Sequence, residues 1–277
     1  MKTDIFHLQI IPIADILVHE EFDESRAYPL VERLKKEKQL VNPILVASLT
    51  DGKFLQLDGM NRFSAFKILG LKSIVCQIID YNDQEEVELS SWSHLFKASK
   101  DEFLAFLSQK CGFIVKQGNI DQVGHRYIKE EGMGRLITLC CSDGGVYLVS
   151  TNGNLLEKID KLNQLVSYYK EKIVRDVLPP HPNAADIDVL FREHPQNNMM
   201  IVFPTFTRHQ IVEIVKKNKL FPAGVTRHII RRRCLNVHAP LSLFDKKKSI
   251  GEQNKELESM LLKRSFRLYE EPTIYFE

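Results

Sequence analysis

The sequence predicts a mixed α/β (α+β) fold, and three observations support this prediction. First, 44% of the 277 residues are hydrophobic and 27% are charged, so the chain can bury a sizeable core. Second, short apolar runs typical of strands alternate with segments whose apolar residues recur at three- and four-residue steps, as in helices. Third, the pairs Asp51-Gly52 and Asp143-Gly144 each separate two apolar runs and therefore indicate hairpin turns.

The first 95 residues are expected to form one compact unit of short strands and helices. We expect a charged helix to begin at Pro29 and to end near Lys38, because the missing N–H of proline costs nothing at the first helical position. A second helix is predicted over residues 61–69, with Gly70 as its left-handed stop. Apolar runs predict strands at residues 44–47, 54–57 and 74–79.

The remaining residues, 96–277, are expected to form a second mixed region. A helix that ends at Gly112 and a strand pair at residues 136–141 and 146–149 are predicted there. Apolar residues continue at helical spacing from 155 to 173, which indicates one long helix that packs on the core. Prolines follow this stripe, and the polar stretch up to Asn198 is expected to be a loop or hinge.

Charge and cysteine usage limit the possible classes of function. The formal net charge is only +2, which argues against a globally basic nucleic-acid-binding protein. Two basic runs, at residues 231–233 and 246–248, are interpreted as solvated surface patches. The five cysteines contain no Cys-x-x-Cys pair, so neither a zinc site nor a disulfide framework is indicated.

The cellular compartment of the protein is inferred from the absence of targeting and membrane-spanning signals in the sequence. The first residues lack a long apolar stretch, and no apolar run approaches the length of a membrane span. Together with the cysteine usage, this predicts a cytoplasmic protein that has no contact with a membrane.

A glycine turn between a predicted strand and a predicted helix is the most informative motif. Asp58 ends the strand, Gly59 allows a close approach of the backbone, and the first turn of the following helix offers unpaired N–H groups. Arg62 adds a planar donor fork that suits phosphate oxygens. The motif therefore predicts a phosphate-binding turn, and an ordinary strand-to-helix turn with a surface arginine is the alternative.

The motif and several others together resemble the free serine kinases of the ParB/sulfiredoxin superfamily. The segment Phe-Pro-Ala-Gly-Val-Thr-Arg at residues 221–227 carries the resemblance most strongly, followed by the apolar run 43–46, the pair His19-Glu20 and the Trp-x-His motif at 92–94. These motifs occur in the same order along both predicted regions. The position before the motif's arginine is a histidine in that family and is Asn61 here.

Two other branches of the superfamily fit less well. Sulfiredoxins use a Gly-Cys-His-Arg motif, and Met60 stands where their nucleophilic thiol would be, so that chemistry is excluded. Partition proteins carry a Gly-Glu-Arg-Arg motif and a helix-turn-helix, and neither is found in this sequence. The alternative function is a non-enzymatic ParB-like regulator that binds nucleotide, with DNA as a second partner at residues 231–233.

The resemblance to free serine kinases implies a fold, a reaction and a set of cofactors. It implies a ParB/sulfiredoxin-like nucleotide-binding domain over residues 1–95 and a second α/β domain over 96–277 that contributes the amino-acid site. The implied reaction transfers phosphate from ATP or ADP to L-serine, gives O-phospho-L-serine and uses Mg²⁺ carried with the nucleotide. The implied use of the product is siderophore or amino-acid precursor biosynthesis, and no oligomeric state is implied.

The resemblance also implies roles for individual residues. Glu20 would be the general base, and Asp58 would hold the substrate or the Mg²⁺ shell. Without the resemblance, Glu20 would be taken for a surface glutamate and Asp58 for a helix cap. In the same way, Trp92 would be taken for a core residue, Thr226 for a turn residue and Arg227 for a solvated arginine. The phosphate-binding residues would be Gly59, Met60, Asn61 and Arg62, and the serine-binding residues would be Trp92, Thr226 and Arg227.

Overall fold

The computed structural model describes residues 6–22, 24–124 and 126–268, whose strands form two large β-sheets and two two-stranded sheets. The strands in chain order are β1 His7–Pro12, β2 Ile16–Leu17, β3 Gln39–Leu40, β4 Ile44–Ser48, β5 Phe54–Asp58, β6 Ser73–Ile79, β7 Val87–Ser91, β8 Ser93–Phe96, β9 Ile114–Gln117, β10 Gly134–Cys141, β11 Val146–Thr151, β12 Val174–Asp176, β13 Met199–Val202, β14 Thr226–Ile230 and β15 Ala239–Pro240. The helices are α1 Glu24–Glu37, α2 Met60–Ile68, α3 Lys100–Ala105, α4 Leu155–Ser167, α5 Ala184–Glu193, α6 Arg208–Lys216 and α7 Ile250–Leu262. Short 3₁₀ turns lie at Ile13–Asp15, Ile120–Gln122, Lys170–Lys172 and Leu241–Phe244, and a π-helical turn lies at Phe106–Lys110.

The first sheet has five strands in the order β1-β6-β4-β5-β2. β1 pairs antiparallel with β6, β4 pairs parallel with β6 and antiparallel with β5, and β2 pairs parallel with β5. Helices α1 and α2 pack against each other beside this sheet. The central strands carry near-continuous apolar runs, and a buried cluster around Phe63 and Phe66 fills the space between sheet and helices. This packing fixes the position of Asp58, the last residue of β5, next to the start of α2.

The second sheet has six strands in the order β12-β8-β13-β10-β11-β9, and every neighbouring pair is antiparallel. Its core contains residues of α4 and α6, among them Ile159 and Ile214, which are both fully buried. The combination of β-sheets and α-helices in the chain confirms the predicted α/β (α+β) class. Each predicted strand from 44 to 149 is confirmed, as are the two hairpins and helix α2.

The C-terminal part of the chain returns to the first sheet. β15 pairs with β3, and the side chain of Asn254 on α7 bonds to both the N–H and the carbonyl of Ile10 at 2.8 and 3.0 Å. Leu243, Phe244 and Leu257 belong to the first buried core. The boundary proposed at residue 95 stays a prediction, and by their packing residues 239–262 belong with the first core.

Three predictions about local structure are wrong. Helix α1 begins at Glu24 and contains Pro29 in its interior, where the missing N–H removes one backbone bond without ending the helix. The apolar stripe from 155 to 173 is not one helix: α4 ends at Ser167, and the last residues lead into β12, which pairs with β8. The expected loop before Asn198 contains α5, whose capping box begins at Asn183.

Among the residues that the structure describes, no helix combines the length and apolar character needed to cross a bilayer. The expectation about the first residues of the chain concerns positions 1–5, which lie outside the described residues.

Candidate active site

All nine residues singled out from the sequence line one cleft, which has a volume of about 1090 Å³. They come from four separate parts of the chain: the segment after β2, the turn from β5 to α2, the link from β7 to β8, and the start of β14. The nine residues are Glu20, Asp58, Gly59, Met60, Asn61, Arg62, Trp92, Thr226 and Arg227. The fold therefore brings the predicted phosphate turn and the predicted serine residues into a single cavity.

The phosphate turn requires glycine at residue 59. Gly59 has a φ of 95° and is the N-cap of α2. A Cβ there would lie 2.7 Å from Cγ2 of Ile44 and 2.9 Å from Nη2 of Arg62, so both the backbone angle and the packing exclude a side chain. No described side chain caps this helix, whose first N–H groups are therefore left for a ligand in the cleft.

Arg62 holds the turn in place through hydrogen bonds to neighbouring segments. Its Nη1 donates to the carbonyl oxygens of Pro43 at 2.7 Å and Asn42 at 3.3 Å, and its Nη2 donates to Oδ2 of Asp58 at 3.1 Å. The guanidinium thus ties the loop before β4 to the end of β5. The direct phosphate contact expected of Arg62 stays a prediction, and these bonds give the residue a structural role as well.

Asp58 lies between two guanidinium groups. Its Oδ2 accepts from Arg233 as well as from Arg62. Burial raises the pKa of Asp58, but the charges of Arg62 and Arg233 lower it, and the net shift of the pKa is downward. Asp58 is therefore ionised at neutral pH. Arg233 is not among the site residues predicted from the sequence, because three consecutive arginines give no sign of which one turns inward.

Glu20 is held in place by the loop that follows α6. Its backbone neighbours pair with Phe221 through bonds of 2.8 and 2.9 Å, so the two segments run side by side. The carboxylate accepts three hydrogen bonds: Oε2 from the N–H of Gly224 at 2.9 Å, and Oε1 from the N–H and hydroxyl of Thr226 at 2.7 and 2.5 Å. The side chain is 13% exposed. Because Oε2 accepts only one of these bonds, it retains acceptor capacity for a further donor.

A buried histidine and an arginine shape the loop that holds Glu20. His94 donates from Nε2 to the carbonyl of Gly224 at 2.7 Å and accepts from the hydroxyl of Tyr169 at Nδ1 at 3.3 Å. Burial lowers the pKa of His94 to about 3, so the ring is neutral. Gly224 has a φ of 75°, and a Cβ there would collide with the side chain of Arg175. Both features fix where the Gly224 N–H points.

Trp92 and Arg227 lie together at the cleft wall. β14 pairs with β7, and the N–H of Trp92 donates to the carbonyl of Val225 at 3.1 Å. The guanidinium carbon of Arg227 lies 5.0 Å from the centroid of the Trp92 ring, a cation–π distance. Thr226 is buried, and its hydroxyl bonds to Glu20 and to His19. The serine clamp expected from Thr226 and Arg227 stays a prediction. The threonine hydroxyl already bonds to two side chains of the protein.

Arginine dominates the charge of the cleft. Among the described residues, six arginines line it against three carboxylates: Arg26, Arg33, Arg62, Arg175, Arg227 and Arg233, with Glu20, Glu21 and Asp58. A cavity with this excess of positive charge, at the N-terminus of a helix, favours an anionic ligand that carries several charges.

A group of possible metal ligands lies outside the cleft. Atoms of Asp176, Glu193 and His194 are all within 4.8 Å of one another, and Nε2 of His194 is 2.7 Å from Oδ2 of Asp176. None of the three lines the cleft. Exposed acidic groups commonly lie together without an ion, so we assign no metal site there.

Two proteins named as ATP-dependent L-serine kinases are similar in sequence over most of this chain. The ATP-dependent L-serine kinase SbnI of Staphylococcus aureus is 26% identical over 244 residues, covering 86% of this chain and 84% of that protein. An ATP-dependent L-serine kinase of Staphylothermus marinus is 28% identical over 233 residues, covering 80% of this chain and 84% of that protein. No family model matches the chain.

Solved structures share the fold. SbnI with a C-terminal truncation, from Staphylococcus aureus, has a TM-score of 0.70 at 23% identity and covers 92% of this chain and 96% of that one. The chain resembles the free serine kinases. A free serine kinase in complex with AMP has a TM-score of 0.66 at 18% identity, covering 86% of this chain and 93% of that one. The resemblance to free serine kinases that the sequence motifs predicted is therefore confirmed, in sequence and in fold.

Proposed function

We propose that this chain is a free L-serine kinase that transfers the γ-phosphate of ATP to the hydroxyl of L-serine. The products are O-phospho-L-serine and ADP. The main observation that supports the proposal is that all nine predicted site residues line one arginine-rich cleft. The two relatives named as ATP-dependent L-serine kinases support the choice of reaction.

The nucleotide phosphates bind at the turn from β5 to α2. The uncapped N-terminus of α2 supplies N–H donors, and Arg62 and Arg233 supply positive charge on either side of Asp58. The ionised carboxylate of Asp58 would hold the Mg²⁺ carried with the nucleotide, and the ion would neutralise charge on the phosphates. Phosphoryl transfer depends mainly on positioning and on charge stabilisation, and this turn contributes to both.

Glu20 accepts the proton of the serine hydroxyl. The serine oxygen attacks the γ-phosphorus, the bond from that phosphorus to the bridging oxygen breaks, and ADP leaves while the proton passes to Glu20. Oε1 is held by two bonds from Thr226, so Oε2 is the oxygen with capacity left for the substrate. Because the carboxylate is anchored by backbone N–H groups, no reorganisation is needed when the substrate arrives.

The amino-acid end of the substrate binds near β14. Arg227 pairs with the α-carboxylate through its two-pronged fork, and Trp92 forms the wall against which Arg227 is stacked. ADP is the alternative phosphate donor, and the product serves siderophore or amino-acid precursor biosynthesis. Since the reaction consumes ATP and free serine, we place it in the cytoplasm.

The proposal is tested by product identification. The folded protein is incubated with Mg²⁺, L-serine and either ATP or ADP, and O-phosphoserine is sought by phosphorus NMR. We expect its resonance to appear only when serine and nucleotide are both present, and to grow about 10²–10⁴ times more slowly in the Glu20→Gln variant. If neither donor gives O-phosphoserine in folded wild-type protein, the proposed function is wrong.

Nothing in the described part of the chain favours the alternative of a DNA-binding regulator. Of its three candidate arginines, Arg231 lies 2.7 Å from Glu85 and Arg233 bonds to Asp58 in the cleft. DNA binding that falls steeply with salt, without serine-dependent turnover, would support this alternative.

A further inference from the structure

His19 lies behind the proposed base Glu20, and nothing above gives it a role. The ring is 3% exposed and lines the same cleft. Its Nε2 is 2.8 Å from the hydroxyl oxygen of Thr226, and that oxygen is 2.5 Å from Oε1 of Glu20. The three side chains therefore form a continuous hydrogen-bonded chain that ends on the carboxylate.

Counting protons along this chain fixes the direction of each bond. An ionised carboxylate only accepts, so the single proton of the Thr226 hydroxyl is donated to Glu20. The hydroxyl oxygen can then only accept from His19, which makes Nε2 the protonated nitrogen of that ring. A neutral imidazole carries one ring proton, so Nδ1 is bare.

The surroundings of His19 agree with a neutral ring. Nδ1 is buried and has no hydrogen-bond partner among the described residues. His228 meets the ring edge-on with 5.2 Å between centroids, and Phe221 packs at 6.4 Å. Glu20 is the nearby carboxylate, with 3.9 Å between Nε2 and Oε1. A second ring proton on Nδ1 would lie in this buried space without an acceptor.

We propose that His19 is a positioning residue that acts through Thr226 on the carboxylate of Glu20. By donating to the hydroxyl oxygen, it forces the Thr226 proton towards Oε1 and leaves Oε2 to accept the substrate proton. This inference rests on the proposed kinase function and deepens it. It also gives Thr226 a role in orienting the base, distinct from the predicted contact with the serine carboxylate.

Two amide variants separate this role from a structural one. In His19→Gln the side-chain nitrogen reaches the position of Nε2 and can still donate to Thr226, whereas in His19→Asn it reaches only the position of Nδ1. We expect His19→Gln to keep a kcat close to wild type, and His19→Asn to lose about 10- to 100-fold in kcat from misplacement of the base, with both KM values unchanged. Equal kcat values for the two variants would overturn the proposal.

A double-mutant cycle shows whether His19 acts through Thr226. Thr226→Val removes the hydroxyl at nearly constant volume and should itself lower kcat. If the chain of bonds is the route, His19→Asn should cause no further loss of kcat in the Thr226→Val background. Additive losses would show that His19 acts by another route, which contradicts the proposal.

A spectroscopic test is independent of activity. Nitrogen-15 NMR of the histidine side chains distinguishes protonated from bare ring nitrogens, and His19 is assigned by its disappearance in His19→Gln. We expect a protonated Nε2 and a bare Nδ1 in wild type at neutral pH. A protonated Nδ1 would overturn the positioning role even if the enzyme makes O-phosphoserine. The expected tautomer in a protein that makes no O-phosphoserine would instead refute the proposed kinase function alone.

Discussion

At the scale of single residues, the cleft contains two groups of side chains: those proposed to contact the ligands and those that hold other residues in place. Arg227 and Trp92 are adjacent at the wall, while His94 and Arg175 shape the loop from behind. The sequence motifs located the first pair, since arginine and tryptophan stand inside or beside recognisable segments. They could not assign the second pair, because its roles depend on contacts between β8, β12 and a distant loop.

Arg227 provides the first prediction. Arg227→Ala should raise the KM for serine by roughly 10- to 100-fold, because a charge-assisted bond to the α-carboxylate is worth about 1.5–3 kcal/mol. Nucleotide affinity should stay nearly unchanged. Arg227→Lys should restore little, since an ammonium cannot reproduce the two-pronged fork. Steady-state kinetics with serine as the varied substrate measures this, and an unchanged serine KM in Arg227→Ala would remove the residue from the serine site.

Three arginines allow a matched test of nucleotide binding. Arg233→Ala and Arg62→Ala should each weaken nucleotide binding by roughly tenfold or more, because each removes a guanidinium beside the phosphate turn. Arg62→Ala should also lower the free energy of unfolding by about 1 kcal/mol, since it leaves the carbonyls of Pro43 and Asn42 without their donor. The control is Arg231→Ala, which loses only an exposed pair with Glu85. Calorimetry that finds all three variants equal would place the phosphates elsewhere.

At the scale of elements, the turn from β5 to α2 was predictable and its supports were not. A strand, an Asp-Gly turn and a helix follow from local patterns, and the boundaries agree to within one residue. The supporting bonds to residues 42–43 and to Arg233 join parts of the chain that no local pattern connects. The start of α1 is predicted at Pro29 because proline favours the first helical position, although the helix begins at Glu24.

The turn itself gives a prediction about stability. Gly59 and Gly52 both have positive φ, but only Gly59 would place a new Cβ against neighbours, whereas nothing lies within 4 Å at Gly52. Gly52→Ala should cost about 1 kcal/mol from backbone strain alone, and Gly59→Ala should cost about 1–3 kcal/mol more because of crowding. Urea unfolding measures both variants. Equal losses would contradict the close packing of Ile44 and Arg62 around Gly59.

At the scale of the whole molecule, the C-terminal segment completes the first core. α7 packs along β1, β15 pairs with β3, and Arg233 reaches the phosphate turn from the same part of the chain. From the sequence, all residues after 95 are predicted to form a second region, because the composition of residues 239–262 does not differ from that of their neighbours. Only the pattern of buried residues shows that 239–262 belong with the first sheet.

Two leucines of α7 test this arrangement. Leu257 is 1% exposed in the first core, whereas Leu262 in the same helix is 58% exposed. Leu257→Ala should therefore lower the free energy of unfolding by about 2–5 kcal/mol. The change in Leu262→Ala should stay within about 0.5 kcal/mol. Thermal or urea unfolding with no difference between the two variants would show that α7 does not stabilise the fold.

The kcat of Glu20→Gln, measured by formation of O-phosphoserine from ATP and L-serine, tests the central claim most directly. The amide keeps the shape of the side chain but cannot accept the substrate proton, so kcat should fall by about 10²–10⁴. Calorimetry should show that both substrates still bind. Asp58→Asn is the comparison, and a larger kcat loss there than in Glu20→Gln would assign the base to Asp58. Near-wild-type turnover in folded Glu20→Gln would contradict the account, because it would show that the carboxylate anchored by Gly224 and Thr226 is not the base.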